Sequence, residues 1–597
     1  MSQHDGRDRK QSEGISRRDV FRTGAAAGVA AALGGATAFP ANAAGLQGAE
    51  PSGHAGGDAL VLVNGKIHTM DDANTVAKAI TIRNGRIVSV GASAANPGPD
   101  ATVVNLQGRT VIPGLIESHT HFVSLANRPG YHVAQLELAT SIADVLEMLA
   151  ARRAQGDVPE GAFITAMGGW NSNQWAEQRL PTRDELDDAV PDRPVLLFQR
   201  FNGPSRVNSL GKEFFENVTS PLAGPVAVAD DGTIAAGSPS TTALYHLRVR
   251  QTFDDKKRSA RDAMAFSAEV GVTALLDQTL VAVGFGPRDP QPNHPLATLD
   301  HFRMYDGWID VHRDGDALVR LQMNFLHNQG NNPSLGGLEN QLPELRERLK
   351  NQFQFFGDDM LRTGGIGEWA APFALQASNP AGYAVWFEAQ RLVAEAGWRN
   401  ENAQTSATNI QQVVEAYEAV DAEFGITELR WGLQHGDFAT PQQLTRLKDL
   451  NVAISTSGFR WQNTATTPPA NPAGPLFSDL LESGIKLGLH EDGVHIAPHN
   501  PWYALHYATT GLNQNGVVIN AGHQISRQQA LHLYTRGNAW YLNREDDLGS
   551  LEPGKLADLL VLDKDYFTVS DDEMRRIRPI LTIVGGRIVH DTGEVRR

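Results

Sequence analysis

Short apolar, β-branched runs alternate with helix-patterned segments through most of the chain, and this alternation restricts the fold more than any other feature. Such alternation is typical of parallel β/α units. Eight units fit a (β/α)8 barrel, in which functional side chains lie at the carboxyl ends of the strands. The sequence therefore predicts an α/β fold of TIM-barrel type, with strands at 110–116, 272–276, 319–325, 352–356, 398–402, 429–434, 452–456 and 485–489.

Shorter strand patterns with Asn-Gly or Gly-Gly turns occur near both ends of the chain. They predict a small β-sandwich built from residues 58–109 and 548–597, flanking a barrel at residues 110–547. Between about residues 128 and 260 the β/α repeat is interrupted by extra strand patterns at 163–167 and 195–199. We expect this insertion, which follows the first barrel strand, to cover the barrel mouth.

The first 43 residues have the pattern of an export signal. Ser16-Arg17-Arg18 precedes a weakly apolar Ala/Gly-rich run and a small-x-small site at Ala41-Asn42-Ala43. This order is typical of a twin-arginine signal peptide, and the run is too short and too weakly apolar for a transmembrane helix. We predict an exported protein, periplasmic or secreted, that contacts the twin-arginine translocase, has no stable membrane insertion after cleavage, and carries a linker at residues 44–57.

Composition excludes several kinds of chemistry. The 597-residue chain has no cysteine, which rules out disulfides, a thiolate nucleophile, cysteine-ligated zinc and iron–sulfur clusters. Its net charge of −16 disfavours nucleic acid as a partner and, more weakly, strongly anionic substrates. The expected partner is a small-molecule substrate, and the oligomeric state is left open.

Candidate metal ligands stand at predicted strand ends. His119 and His121 close the first apolar run, and side chains two residues apart on a strand point to one face. Both imidazoles can therefore reach one metal ion. His435 and Asp492 follow the sixth and eighth predicted strands and lie on the same catalytic face by the barrel rule. A carboxylate with imidazoles is typical of a catalytic zinc site that leaves a position for water.

Several motifs together resemble the amidohydrolase superfamily, specifically amidohydrolase family 3, which is YtcJ-like and related to N-substituted formamide deformylases. The matching segments are 64–71, 111–121, 488–492, 500–502 and 551–558. The resemblance implies a barrel on a β-sandwich, one or two divalent metals, and hydrolysis of amide or related C–N bonds by metal-activated water. It also implies that Asp492 shuttles the proton.

Four positions depart from the family pattern. The fourth strand usually carries a lysine whose carbamate bridges two metals, and the matching position here is Gln354. The fifth strand usually ends in histidine, where Ala403 stands nearest. Asn202-Gly203-Pro204 replaces a usual Gly-His after an Asp, and Glu117 replaces an Asp. Since glutamine cannot be carbamylated and alanine cannot ligate, the departures predict one zinc or similar ion and disfavour a second metal.

Other oxygens offer possible substitutes for the missing ligands. Glu401 and Asn402 lie on the predicted fifth strand, and Asp358 and Asp359 follow the predicted fourth strand. Glu401 is either a ligand or catalytic residue, or it forms a structural ion pair with Arg399 or another residue, because a charge in a barrel wall needs a partner. The two aspartates are either substitute ligands or solvated loop residues.

Four tryptophans follow predicted strand ends: Trp170, Trp369, Trp461 and Trp502. They predict either an aromatic wall for an apolar substrate or ordinary core packing.

The sequence thus predicts an exported, metal-dependent hydrolase that cleaves an amide, formamide or cyclic amide. His119 and His121 bind the metal, Asp492 ligates it and acts as general base, and His435 ligates it or stabilises the oxyanion. Two alternatives stay open. One is a lyase or isomerase on the same scaffold, and the other is a metal-free binding protein of that fold.

Overall fold

The structure, a computed structural model, describes residues 59–92, 101–123, 127–133, 136–200, 202–278, 302–494 and 496–595. The predicted signal peptide and linker lie outside these residues. Within the described ranges, no helix combines the length and the apolar character needed to cross a membrane.

Two four-stranded parallel sheets form the centre of the molecule. Their strands are Leu115–Thr120 (β1), Val272–Gln278 (β2), Arg320–Phe325 (β3), Leu361–Ile366 (β4), Glu401–Gln404 (β5), Gly432–His435 (β6), Ala453–Ser457 (β7) and Leu487–His490 (β8). One sheet has the order β4-β3-β2-β1 and the other β5-β6-β7-β8. A parallel bridge between Ile366 and Asn400 joins the two sheets next to β4 and β5. This is an α/β fold of TIM-barrel type, as predicted.

Helices separate these strands and begin at clear sequence signals. Thr440 caps the helix that follows β6, and Pro441 occupies its first turn. Asn500 and Pro501 start the helix after β8 in the same way. The helices are Ile142–Ala154, Arg183–Ala189, Ser209–Asn217, Ser238–Arg248, Phe253–Val270, Asp306–Arg313, Pro343–Arg348, Pro380–Glu395, Ala407–Phe424, Pro441–Asp449, Phe477–Glu482, Pro501–Thr510, Arg527–His532, Asn538–Tyr541 and Asp571–Met574.

The predicted fourth strand is wrong. Residues 352–356 form a loop in which Phe353 and Phe356 are 56% and 57% exposed. The strand is Leu361–Ile366, whose Gly364-Gly365 pair hides its strand character because glycine has low β-propensity. Gly365 is needed because a Cβ there would lie 2.6 Å from the carbonyl oxygen of Arg399.

The first predicted strand divides between two sheets. Thr110–Pro113 pairs with Leu559–Leu562, whereas β1 begins at Leu115 and pairs with β2. Gly114 lies between the two strands. A larger residue would not fit there, because a Cβ would overlap the side chain of Thr273. His119 therefore lies in the central sheet and His121 directly follows it, at the end of β1 away from Gly114.

Strands from both ends of the chain form two further sheets. A four-stranded sheet contains Arg86–Gly91, Ala79–Arg83, Leu60–Val63 and Thr102–Asn105. A six-stranded sheet contains Arg587–Asp591, Pro579–Val584, Leu559–Leu562, Thr110–Pro113, Lys66–His68 and Val76–Ala77. One buried apolar cluster includes Leu62 and Ile80 from the first sheet and Leu559 and Ile583 from the second.

The region between β1 and β2 forms a sheet of its own. Its strands, in spatial order, are Thr233–Ile234, Ser205–Val207, Val195–Gln199, Ile164–Gly168 and Tyr131–His132. Gly169, just after one of these strands, touches the loop after β8 so closely that a Cβ would overlap Ala497. This insertion sheet therefore reaches the loop that follows Asp492.

Candidate active site

His119 and His121 lie at the carboxyl end of β1, and both are buried. The Nε2 atom of each imidazole lies 3.3 Å from Oδ1 of Asp492, which follows β8. Two imidazole nitrogens therefore converge on one carboxylate oxygen, as the spacing of the two histidines predicts.

A backbone carbonyl fixes the orientation of His121. Its Nδ1 lies 2.7 Å from the carbonyl oxygen of Gln278 at the end of β2. A carbonyl can only accept, so Nδ1 donates and Nε2 faces the site. This is the arrangement by which proteins orient metal-ligating histidines.

Glu368 is the site residue that sequence reasoning missed. It follows β4 by two residues and is buried. Its Oε2 lies 3.6 Å from Nε2 of His121, and its Oε1 lies 3.9 Å from Nε2 of His435. Burial raises the pKa of its carboxyl group. The sequence prediction put the fourth strand at residues 352–356, so Glu368 did not stand at a predicted strand end and was not identified as a candidate.

His435 and Asp492 both have left-handed backbone conformations, with φ of 70° and 58°. Such angles are unfavourable for residues with a Cβ and cluster at functional sites. Burial lowers the pKa of His435 to about 4, so its imidazole is neutral. Burial alone would raise the pKa of Asp492, but the adjacent His119 and His121 hold it well below its usual range.

Glu117 supports the site from below. It is fully buried, and its Oε2 accepts a hydrogen bond of 2.6 Å from the hydroxyl of Tyr534. Its Oε1 lies 3.3 Å from the backbone nitrogen of Glu491, which joins β1 to the end of β8. Burial raises the pKa of Glu117 to about 8. The longer glutamate thus spans the gap between these strands.

Glu401 lies in a buried polar network beside the candidate ligands. Its Oε1 lies 3.1 Å from Arg399, and its Oε2 accepts from Gln278 at 2.8 Å and Gln434 at 2.6 Å. Of the two roles left open by the sequence, the structure shows the ion pair with Arg399. Asn402 is likewise occupied, because its amide donates to Gln390 and to the hydroxyl of Tyr417.

The prediction that Asp358 and Asp359 follow the fourth strand is wrong, because both precede β4 and so stand at its amino end. Asp358 accepts from His312 at 2.9 Å, and Asp359 pairs with Arg544 at 3.0 Å. Gln354 is not a site residue either, since its side chain hydrogen-bonds the backbone of Gly397 and Arg399. The fourth-strand position of the family pattern therefore does not correspond to Gln354.

A cavity of about 580 Å³ opens above these groups. Its lining residues are His121, Arg200, Glu368, Thr405, His435, Phe459, Arg460, Gln462, Asn463, Ala473, Asp492 and Ile496. None of the four tryptophans lines it. Trp170 stacks on Trp175, Trp461 stacks on Tyr503, and the buried indole of Trp502 donates to Val270. Core packing is the role that the structure shows for these three.

The convergent atoms suit a metal ion. One group is His119, His121 and Glu368, the other is His119, His435 and Asp492, and the ligand atoms of each group lie within 4.8 Å of one another. Around a tetrahedral zinc ion with bonds of about 2.1 Å, neighbouring ligand atoms lie about 3.4 Å apart. The distances of 3.3 and 3.6 Å match this spacing. Apart from the contact with Asp492, Nε2 of the buried His119 has no partner among the described residues, so a metal ion would satisfy this nitrogen.

Parallel strands with histidines and carboxylates at their carboxyl ends define a metal-dependent hydrolase of TIM-barrel type. The chain belongs to the amidohydrolase family, whose model matches residues 102–590. The predicted family and the predicted enzyme class, a metal-dependent hydrolase of C–N bonds, are confirmed.

Known proteins of this kind resemble the chain over most of its length. An N-substituted formamide deformylase of Arthrobacter pascens is 24% identical and covers 88% of this chain and 97% of its own. The Bacillus subtilis protein named as the amidohydrolase YtcJ is 22% identical over 88% of this chain and 98% of its own. A metal-dependent hydrolase of Pyrococcus horikoshii OT3, solved by crystallography, shares the fold with a TM-score of 0.55 and 16% identity, covering 86% and 99% of the two chains.

Proposed function

We propose that the protein is an exported hydrolase that uses one bound divalent metal ion to cleave an amide, formamide or cyclic amide. The observation that carries the proposal is the convergence of His119 Nε2 and His121 Nε2 on Asp492 Oδ1, at 3.3 Å each, with Glu368 3.6 Å from His121. The similarity to a formamide deformylase supports the choice of C–N bond.

His119, His121, Glu368 and Asp492 would hold the ion. The two candidate ligand groups share His119, which supports a single centre. Two further features support one ion: Ala403 offers no ligand on β5, and Glu401 is already engaged by Arg399. Zinc suits this mixture of imidazole and carboxylate.

A divalent ion at this position would make water a better nucleophile and polarise the substrate carbonyl. Asp492 is ionised at neutral pH and lines the cavity, so its carboxylate takes the proton of the attacking water and passes it to the leaving nitrogen. His435 also lines the cavity and is neutral, which suits donation of a hydrogen bond to the carbonyl oxygen as negative charge develops there. The products are a carboxylic acid and an amine.

We also propose how the central strands, the terminal sheets and the insertion sheet are arranged. We infer that β1–β8 close into a barrel. The Ile366–Asn400 bridge supports one junction, and Asn538 supports the other because its amide donates to Ile116 of β1 and Leu489 of β8. The apolar cluster shared by the two terminal sheets supports a sandwich. The insertion sheet would then stand at the barrel mouth.

The export route is proposed from residues 1–43 alone. The full chain expressed in a bacterium should be recovered outside the cytoplasm with a mature end near Ala44. Replacement of both Arg17 and Arg18 by lysine should hold it in the cytoplasm. Equal distribution of the two forms would overturn the proposal.

Metal content and product oxygen test the reaction. The purified wild-type protein should contain about one equivalent of a transition metal, and His119→Ala should lose it. Hydrolysis in ¹⁸O-labelled water must place solvent oxygen in the acid product. Product without solvent oxygen would indicate a lyase or isomerase. Well under one equivalent of metal after supplementation, together with no turnover, would leave a binding protein.

A further inference from the structure

Arg200 is a cationic residue on the wall of the cavity that the candidate metal ligands also line. It follows the strand Val195–Gln199 of the insertion sheet and so does not belong to the central strands. Its side chain is partly buried. The insertion thus supplies the cavity with a charged group of its own.

No charge in the described part of the protein neutralises Arg200. Its Nε is buried and has no hydrogen-bond partner there. Burial alone lowers the pKa of its guanidinium, with no contribution from a neighbouring carboxylate. Burying even part of a guanidinium without a partner is unfavourable, so a bound anion would relieve that cost.

The other arginine of the cavity, Arg460, is in the opposite situation. Its Nε and a terminal nitrogen lie 2.8 and 2.6 Å from Oδ2 of Asp437, which is fully buried. The charge of Arg460 is therefore matched within the protein. The contrast singles out Arg200 as the cavity cation available to a ligand.

The backbone of Arg200 pairs with the neighbouring strand of the insertion sheet. Its φ of 54° lies in the left-handed region, which is unfavourable for a residue with a side chain. Its backbone nitrogen donates to the carbonyl oxygen of Gly168, 2.8 Å away on the neighbouring strand. The backbone of Arg200 is thus tied to the end of the neighbouring strand.

We propose that Arg200 binds a carboxylate of the substrate, so that the preferred substrate is a carboxylate-bearing amide of the N-acyl amino acid type. The inference rests on the proposed amide hydrolysis and adds a substrate class to it. The planar guanidinium matches a carboxylate with two parallel hydrogen bonds. The net charge of −16 would disfavour anions at long range, and Arg200 reverses that preference locally.

Matched substrate pairs test the proposal. The pairs are N-formylphenylalanine with its primary amide, and N-acetylphenylalanine with its primary amide. Wild-type kcat/KM should favour the carboxylate of each pair. Arg200→Gln should reduce the carboxylate-to-amide ratio about 10- to 150-fold, mainly through KM, as expected for loss of a charged hydrogen-bonded contact. Arg200→Lys should retain a larger carboxylate-to-amide ratio than Arg200→Gln, because lysine keeps the positive charge but lacks the two parallel N–H donors of the guanidinium.

Arg206→Gln is the matched control. Arg206 lies on the same sheet but donates to the backbone oxygen of Asp231, so its loss should leave the ratio unchanged. Calorimetric binding of phenylacetate and phenylacetamide to the purified proteins gives a readout that needs no turnover. Arg200→Gln should weaken binding of the carboxylate at least tenfold more than binding of the amide.

The outcomes separate the two proposals. An unchanged carboxylate preference in Arg200→Gln, or no preference in the wild type, would overturn the role of Arg200 while amide hydrolysis stands. If no amide is cleaved and no metal is present, the proposed function fails, and the binding measurement still decides whether Arg200 recognises a carboxylate.

Discussion

Oε2 of Glu368 lies 3.6 Å from Nε2 of His121, although the two residues follow strands that are far apart in the sequence. β4 and β1 occupy opposite edges of one four-stranded sheet, and their carboxyl ends meet over the site. This contact changes the interpretation of the metal site, because it supplies a carboxylate at the position where the sequence indicated a glutamine.

Replacing Glu368 tests the corrected fourth strand. Loss of a group that supports a ligand from outside typically costs about 10- to 100-fold in metal affinity, so loss of a direct ligand in Glu368→Ala should cost about 100-fold or more. Zinc affinity measured by chelator competition checks this. Gln354→Ala is the control and should bind zinc normally, since the side chain of Gln354 hydrogen-bonds the backbone before β5. The reverse pattern would refute the site.

Glu401 should matter for stability and not for metal binding. In Glu401→Gln the buried Arg399 loses its charge partner, which typically costs about 3–5 kcal/mol. The urea midpoint should fall, while the metal content of the folded protein stays at the wild-type value. A variant of normal stability that lacks metal would instead identify Glu401 as a ligand.

The ion pair of Arg320 and Asp558 should contribute strongly to stability. Two nitrogens of Arg320 each lie 2.8 Å from an oxygen of Asp558, and both side chains are 5% exposed. Asp558→Asn should lower the free energy of unfolding by about 3–5 kcal/mol. Asp565→Asn is the matched control, because its partner Lys66 is 57% exposed and such pairs contribute about 1 kcal/mol or less. Equal losses in a urea titration would contradict this assignment.

His499 should make the protein sensitive to acid. Burial, aided by the charge of Arg128, lowers its pKa to about 3 in the folded state, against about 6.5 in an unfolded chain. Because the pKa of His499 is lower in the folded state, the folded protein binds fewer protons at this residue than the unfolded chain does. The neutral histidine therefore makes its full contribution to the free energy of unfolding above pH 6.5, and this contribution is lost as the pH falls toward 3.

Between pH 7 and pH 5 this one histidine should cost about 2 kcal/mol of unfolding free energy. In His499→Gln, whose amide can still reach the hydroxyl of Ser267, the loss over the same interval should be smaller by that amount. Urea titrations at both pH values measure the difference. Identical pH dependence in the two proteins would show that His499 does not cause it.

Sequence patterns located much of the fold because they depend on neighbouring residues. The terminal strands, most of the central strands and the histidine pair at the end of β1 carry local signals of alternation, turn residues or strand ends. The same local signals fail where a strand contains a pair of glycines. Gly364-Gly365 looks unlike a strand, and the aromatic run at 352–356 resembles one although its phenylalanines face solvent.

The sequence by itself determined the class of protein, its barrel-type scaffold and four of the residues that meet at the site. Only the tertiary structure decided that Glu368 joins them, that Glu401 is engaged by Arg399, and that Arg200 reaches the cavity without a partner among the described residues. The physical reason is that strand formation follows local preference, whereas the approach of distant side chains depends on packing. At Gly367, for example, a Cβ would lie 2.7 Å from the side chain of Asn324 and 2.9 Å from that of Gln278, so the residue before Glu368 packs closely against groups from two other strands.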